Sequence, residues 1–99
     1  MSSIHRLQID VTDYQEIAGS RRVLSAAPAR DGQSDVIDIW FETSDRDIPT
    51  GIYIFGTGHP TPWDHWTREN WRFIDTVVTP SGPVWHVYVG PIAGKPIPA

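Results

Sequence analysis

The chain predicts a mainly β fold, a small antiparallel sandwich or partial barrel of five or six strands with one short helix. Short apolar stretches alternate with period two, connections rich in Gly, Pro and Asp separate them, and a single segment opens like a helix.

Leu7, Ile9 and Val11 alternate with Gln8 and Asp10, the pattern of a half-buried strand. Tyr14 to Ile17 reads as a short strand or a bend, closed by Gly19-Ser20. Val23 to Ala27 is a second main strand of small residues, and Asp31-Gly32 supplies a turn. Val36 to Thr43 is the clearest strand. Ile37, Ile39 and Phe41 share one face, while Val36, Asp38, Trp40 and Glu42 share the other. A polar loop ends at Pro49, and Ile52 to Phe55 forms a buried strand running into Gly56-Thr57-Gly58-His59-Pro60. Thr61-Pro62-Trp63-Asp64 then offers a Thr N-cap, Pro at the first helical position and an acid in the first turn. It predicts a helical turn or two through Arg68 or Asn70. Trp71 to Val78 and Val84 to Val89 predict a hairpin around Thr79-Pro80-Ser81-Gly82-Pro83.

The 99 residues correspond to one domain, a β-rich unit over 1–89 followed by an irregular Pro-rich tail over 90–99. A chain this short buries a modest core, so a homo-oligomer with additional burial at a subunit interface is expected. The net charge of −4 and the scattered Lys and Arg residues argue against nonspecific nucleic-acid binding. No cysteine is present, which removes disulfides, thiolate metal sites and cysteine nucleophiles. No segment approaches the ~18 apolar residues of a membrane span, and the N-terminus has no apolar signal core, so a soluble intracellular protein is expected.

Gly56-Thr57-Gly58-His59-Pro60-Thr61 follows a strand but does not meet the dinucleotide fingerprint. The sixth position is Thr61, and Pro60 and Pro62 lack backbone donors. Two readings remain: a tight turn that redirects the chain, or an anion corner formed by the flexible glycines and a helix N-terminus downstream. Trp63, Trp66 and Trp71, interleaved with Arg68 and Arg72, form the densest aromatic segment. Exposed together, three such rings would make a patch of about 450–750 Å², so they belong to a core, an interface or a ligand site. His5, His59, His65 and His86 show no metal-ligand spacing. No serine sits in a nucleophile elbow, and Asp38 and Glu42 lie ~13 Å apart along one strand, too far for paired acid–base work. The expectation is a non-enzymatic protein without metal or cofactor.

Ile54-Phe55-Gly56-Thr57-Gly58-His59-Pro60 and the closing Trp85-His86-Val87-Tyr88 resemble a family of small bacteriophage proteins, over about Ile4 to Val89. The Trp-rich stretch from Thr61 to Trp71 departs from that pattern, and no catalytic residue carries over. The resemblance implies a phage accessory protein in the cytoplasm of an infected bacterium. Its expected mode is binding, either of a nucleotide-type signal of antiviral defence or of a host protein; a minor virion or assembly component is a further possibility. The expected ligand-binding residues are Thr57, Gly58, His59 and either Arg68 or Arg72 around a small phosphate-containing ligand, with Trp63 or Trp66 stacking its base.

Overall fold

The computed structural model describes residues 3–43, 45, 49–61 and 71–92. Seven strands lie among them rather than five or six: β1 (Ile4–Asp10), β2 (Tyr14–Ile17), β3 (Ser20–Pro28), β4 (Val36–Thr43), β5 (Thr50–Gly56), β6 (Arg72–Val78) and β7 (Val84–Gly90). The additional strand is the one over 14–17, whose four residues carry too little alternation to be separated from a bend. No helix occurs among the described residues. The helix expected from Pro62 onward falls on 62–70, outside them.

The strands form two antiparallel sheets, β1-β4-β3 and β2-β5-β7-β6, which do not close into one barrel. β1 hands the chain from one sheet to the other within three residues. Val11 N–H still bonds to Asp35 beside β4, while the Asp13 carbonyl already accepts from Ile54 on β5. The predicted hairpin is present: Gly82, with φ +109°, lets Gly82 N–H return to the Thr79 carbonyl, and Thr79 caps the Pro83 carbonyl.

Both sheets contribute to one apolar core. Ile37, Ile39 and Phe41 of β4 pack with Ile9, Val23 and Ala26 from their own sheet and with Ile17, Ile52, Ile54, Val77 and Val87 from the other. Side chains spaced by two along each strand reach this core, which is why the alternation read from sequence locates it. On the far side of the two sheets, β3 and β6 lie edge to edge. Both strands are bulged there, at Ser20/Arg22 and Val23/Ser25 in β3 and at Phe73/Asp75 in β6. Side chains bridge the seam: Arg72 Nη2 donates to the Val23 carbonyl at 2.8 Å, and Ala26 N–H donates to Asp75 Oδ2 at 3.4 Å.

The outer face of β4 holds Asp38, whose side chain is completely buried. Its Oδ2 meets Arg6 Nη1 at 3.1 Å, diagonally across the β1–β4 pair, and its Oδ1 has no hydrogen-bond partner. An incompletely satisfied buried carboxylate depends on its single cation. Arg6→Ala is therefore expected to cost about 2–3 kcal/mol, less than for a fully buried pair because Arg6 is 38% exposed. Asp38→Ala removes the charge itself and should cost only about 1 kcal/mol. Equal losses in chemical denaturation would show that the ion pair does not control this face.

Candidate functional site

β5 reads Ile52-Tyr53-Ile54-Phe55, with aliphatic side chains on one face and aromatic ones on the other. In β7, Tyr88 stands opposite in direction to Val87 and Val89, while Trp85 packs against the core on their side. The aliphatic set enters the core. Register aligns the aromatic set across the whole four-stranded sheet: Tyr14 of β2 opposes Tyr53 of β5, Tyr53 opposes Tyr88 of β7, and Tyr88 opposes Phe73 of β6.

The rings touch in sequence across this outer face. Tyr14 and Tyr53 have centroids 4.8 Å apart, Phe55 and Tyr88 are 5.8 Å apart, and Phe73 meets the edge of Tyr88 at 5.4 Å. Trp71 joins from just before β6 and meets Tyr53 at 4.4 Å, nearly perpendicular. It lies over Gly90, where a Cβ would overlap its six-membered ring. The Tyr53 hydroxyl donates to the Pro91 carbonyl. Burial pushes the Tyr53 phenol above its usual range, and neighbouring Tyr14 and Glu16 act in the same direction. Such ring pairs contribute about 0.5–1.5 kcal/mol each beyond area burial, yet Phe73 remains 51% exposed and the others half-buried.

Toward the β5–Gly-Thr-Gly-His-Pro corner this face opens into a cleft of about 500 Å³, lined by Asp13, Tyr14, Tyr53, Ile54, Phe55, His59, Pro60 and Thr61. The corner is a turn in which His59 N–H bonds to the Gly56 carbonyl at 3.0 Å and Gly58 adopts φ +87°. Gly56 leaves room for the His59 ring, since a Cβ there would stand 2.9 Å from its Cε1.

The expected site residues divide into four groups. His59 lines the cleft, and exposed Gly58 shapes the turn behind it. Thr57 is turned to the neighbouring strand: its hydroxyl meets His86 Nε2 at 2.8 Å, while Thr76 Oγ1 holds His86 Nδ1 at 3.0 Å. Both His86 nitrogens are thereby engaged. Arg72 is not brought to this corner. It pairs with Val89 at the opposite end of the sheet and reaches inward to β3. Trp63, Trp66 and Arg68 lie outside the described residues. The residues that sequence reading passed over are Tyr14, Tyr53, Phe55, Phe73 and Tyr88. Tyr53 and Phe55 carried a signal, alternating with isoleucines in β5, whereas Tyr14, Phe73 and Tyr88 are brought beside them only by strand register. Among the described residues, no group of three His, Asp or Glu side chains could hold a metal ion.

Residues 1–96 match a family described as a domain of unknown function, DUF7352. No curated protein and no solved structure is matched.

Gly90→Ala is expected to displace Trp71 from the aromatic face and cost about 1–3 kcal/mol, the usual penalty for overpacking. Near-ultraviolet circular dichroism and tryptophan fluorescence would register the displaced ring. Unchanged spectra would mean that Gly90 does not seat Trp71.

Proposed function

The chain belongs to this family of domains of unknown function, and we propose that it is a binding protein for a planar, ring-bearing ligand of nucleotide type, held without turnover. The observation that carries the reading is the row of part-exposed rings across every strand of one sheet, opening into a cleft of about 500 Å³. That volume suits a small molecule, and an aromatic sheet face suits a base, with each stacked base contributing about 1–3 kcal/mol.

The cleft favours the nucleoside end of such a ligand. Asp13 at its wall accepts hydrogen bonds from ring amino groups or sugar hydroxyls but repels phosphate; His59 and Thr61 supply further polar contacts at the rim. Sequestration of a nucleotide signal in an infected bacterium is the biological form of the proposal, and its support is the sequence resemblance. Calorimetric titration with nucleosides, cyclic nucleotides and ADP-ribose derivatives tests it. At least one should bind and be recovered unchanged, and Tyr53→Ala should weaken binding by about tenfold or more. Silence from the whole panel at about 100 μM would sink the reading.

A second reading, self-association, rests on β1. Bonds from Thr43 N–H to the Ser3 carbonyl and from Val11 N–H to the Asp35 carbonyl set the ladder so that odd residues face β4. The N–H and C=O groups of Ile4, Arg6, Gln8 and Asp10 therefore point away from the sheet, along an edge where Ile4 is 64% exposed. Twofold antiparallel pairing of two β1 strands centred on Gln8 would set Arg6 opposite Asp10 of the second copy. Light scattering should then show a dimer for the natural sequence and a folded monomer for Gln8→Pro, since an edge strand tolerates proline. A monomer at every concentration for the natural sequence would exclude it.

A further inference from the structure

A second cleft, of about 450 Å³, opens between the two sheets where β5 begins and β7 ends, lined by Arg22, Val23, Glu42, Thr50, Arg72 and Val89. Arg22 and Glu42 are cross-strand neighbours on β3 and β4; Arg72 and Val89 are neighbours on β6 and β7. Thr50 belongs to the inward-facing series of β5, whereas Tyr53 and Phe55 face outward. The two clefts therefore lie on different faces of the molecule, and the inter-sheet cleft stands independently of the aromatic one.

Folding stability accounts for Arg72, which bridges to β3, but gives no reason to place a second guanidinium beside it. Acidic residues outnumber basic ones, 12 to 8, so a carboxylate partner for each arginine would be easy to supply. Yet among the described residues neither Arg22 nor Arg72 forms an ion pair, and even Glu42 beside Arg22 makes none. Burial lowers the Arg72 pKa from its usual value, and the charge of Arg22 lowers it further, so Arg72 is partly desolvated and repelled by its neighbour. Arg72 is nevertheless held in place, because its Nη2 bonds to the Val23 carbonyl at 2.8 Å. That bond uses one of five guanidinium donors and leaves the rest of the fork for another acceptor.

We propose that Arg22 and Arg72 form the seat of a phosphate-type oxyanion, received in the cleft between the two sheets. A doubly charged anion between two guanidiniums replaces their repulsion with charge-assisted, fork-shaped hydrogen bonds. Glu42 opposes the same anion and limits affinity, which keeps such a seat reversible.

Inorganic phosphate is the probe, compared with chloride at matched ionic strength, with thermal unfolding and arginine side-chain NMR as readouts. Phosphate should raise the melting temperature above the chloride value and shift the Arg72 Nε–Hε resonance. Arg22→Gln should weaken phosphate binding by about tenfold or more. The same substitution should leave the unliganded protein as stable as before or more so, because it relieves repulsion on Arg72. A merely structural Arg22 would give the opposite sign. Glu42→Gln should tighten binding several-fold. Arg72→Gln also strips the Val23 carbonyl of its donor, so Arg22→Gln is the deciding variant. The proposal fails if phosphate and chloride act alike, or if Arg22→Gln retains the full phosphate response.

Discussion

Where β3 meets β6, two sheet edges approach one another without a backbone ladder, and two charged side chains of β6 bridge the gap. Both strands are bulged near the meeting point, and they are not joined as neighbours in one sheet. Asp75 accepts from the Ala26 amide, and Arg72 donates to the Val23 carbonyl. Unpaired backbone groups at this half-buried edge would otherwise carry a desolvation cost of about 1–3 kcal/mol each. Side-chain bridging is longer and less regular than a ladder. The sheets consequently share a core yet stay short of a barrel, and a mouth remains between them at the Arg72 end.

The two outer faces meet different physical constraints. On the three-stranded sheet, the face away from the core buries Asp38 and relies on Arg6, a local charge balance between the apolar neighbours Ile37 and Ile39. On the four-stranded sheet, the face away from the core carries rings packed edge to face. Aromatic pairs stabilise this surface without needing full burial, because their quadrupoles interact across the strands. An aliphatic face of equal size would have required a covering layer. Rings allow the surface to remain ordered while leaving area and a cleft accessible.

The strands were legible because burial on one face imposes period two, and β4 is read from sequence with its observed bounds, Val36–Thr43. The core face of that strand followed directly, whereas the burial of Asp38 did not, since alternation marks a polar position as outward and says nothing about what lies over it. The aromatic face was legible only in fragments. Tyr53 and Phe55 alternate with isoleucines, but Tyr14, Phe73 and Tyr88 join them only through strand register, which sequence spacing does not supply. Local density drew attention instead to Trp63, Trp66 and Trp71, of which Trp71 alone lies among the described residues. Arg72 shows the same limitation. Its proximity in sequence to the Gly-Thr-Gly-His-Pro loop suggested a shared site, but strand pairing carries it to the opposite end, where its acceptor is 49 positions away in sequence.

One short piece of chain ties the two clefts together. Trp71 and Arg72 are consecutive, and the pleat sends one ring to the outer aromatic face and one guanidinium to the interior mouth. The fixed point beneath them is the Gly51–Gly90 pair. A Cβ at Gly51 would stand 2.9 Å from the Gly90 carbonyl, and a Cβ at Gly90 would overlap the Trp71 ring. Two glycines thus let β5, β7 and Trp71 approach more closely than side chains allow. Since Arg72 follows Trp71 immediately and is anchored on Val23, a displacement of the Trp71 backbone would be met first by that hydrogen bond and then by the Phe73/Asp75 bulge. Bulges are where strands bend most readily. The geometry thus separates the two surfaces by face while joining them through the single peptide between Trp71 and Arg72.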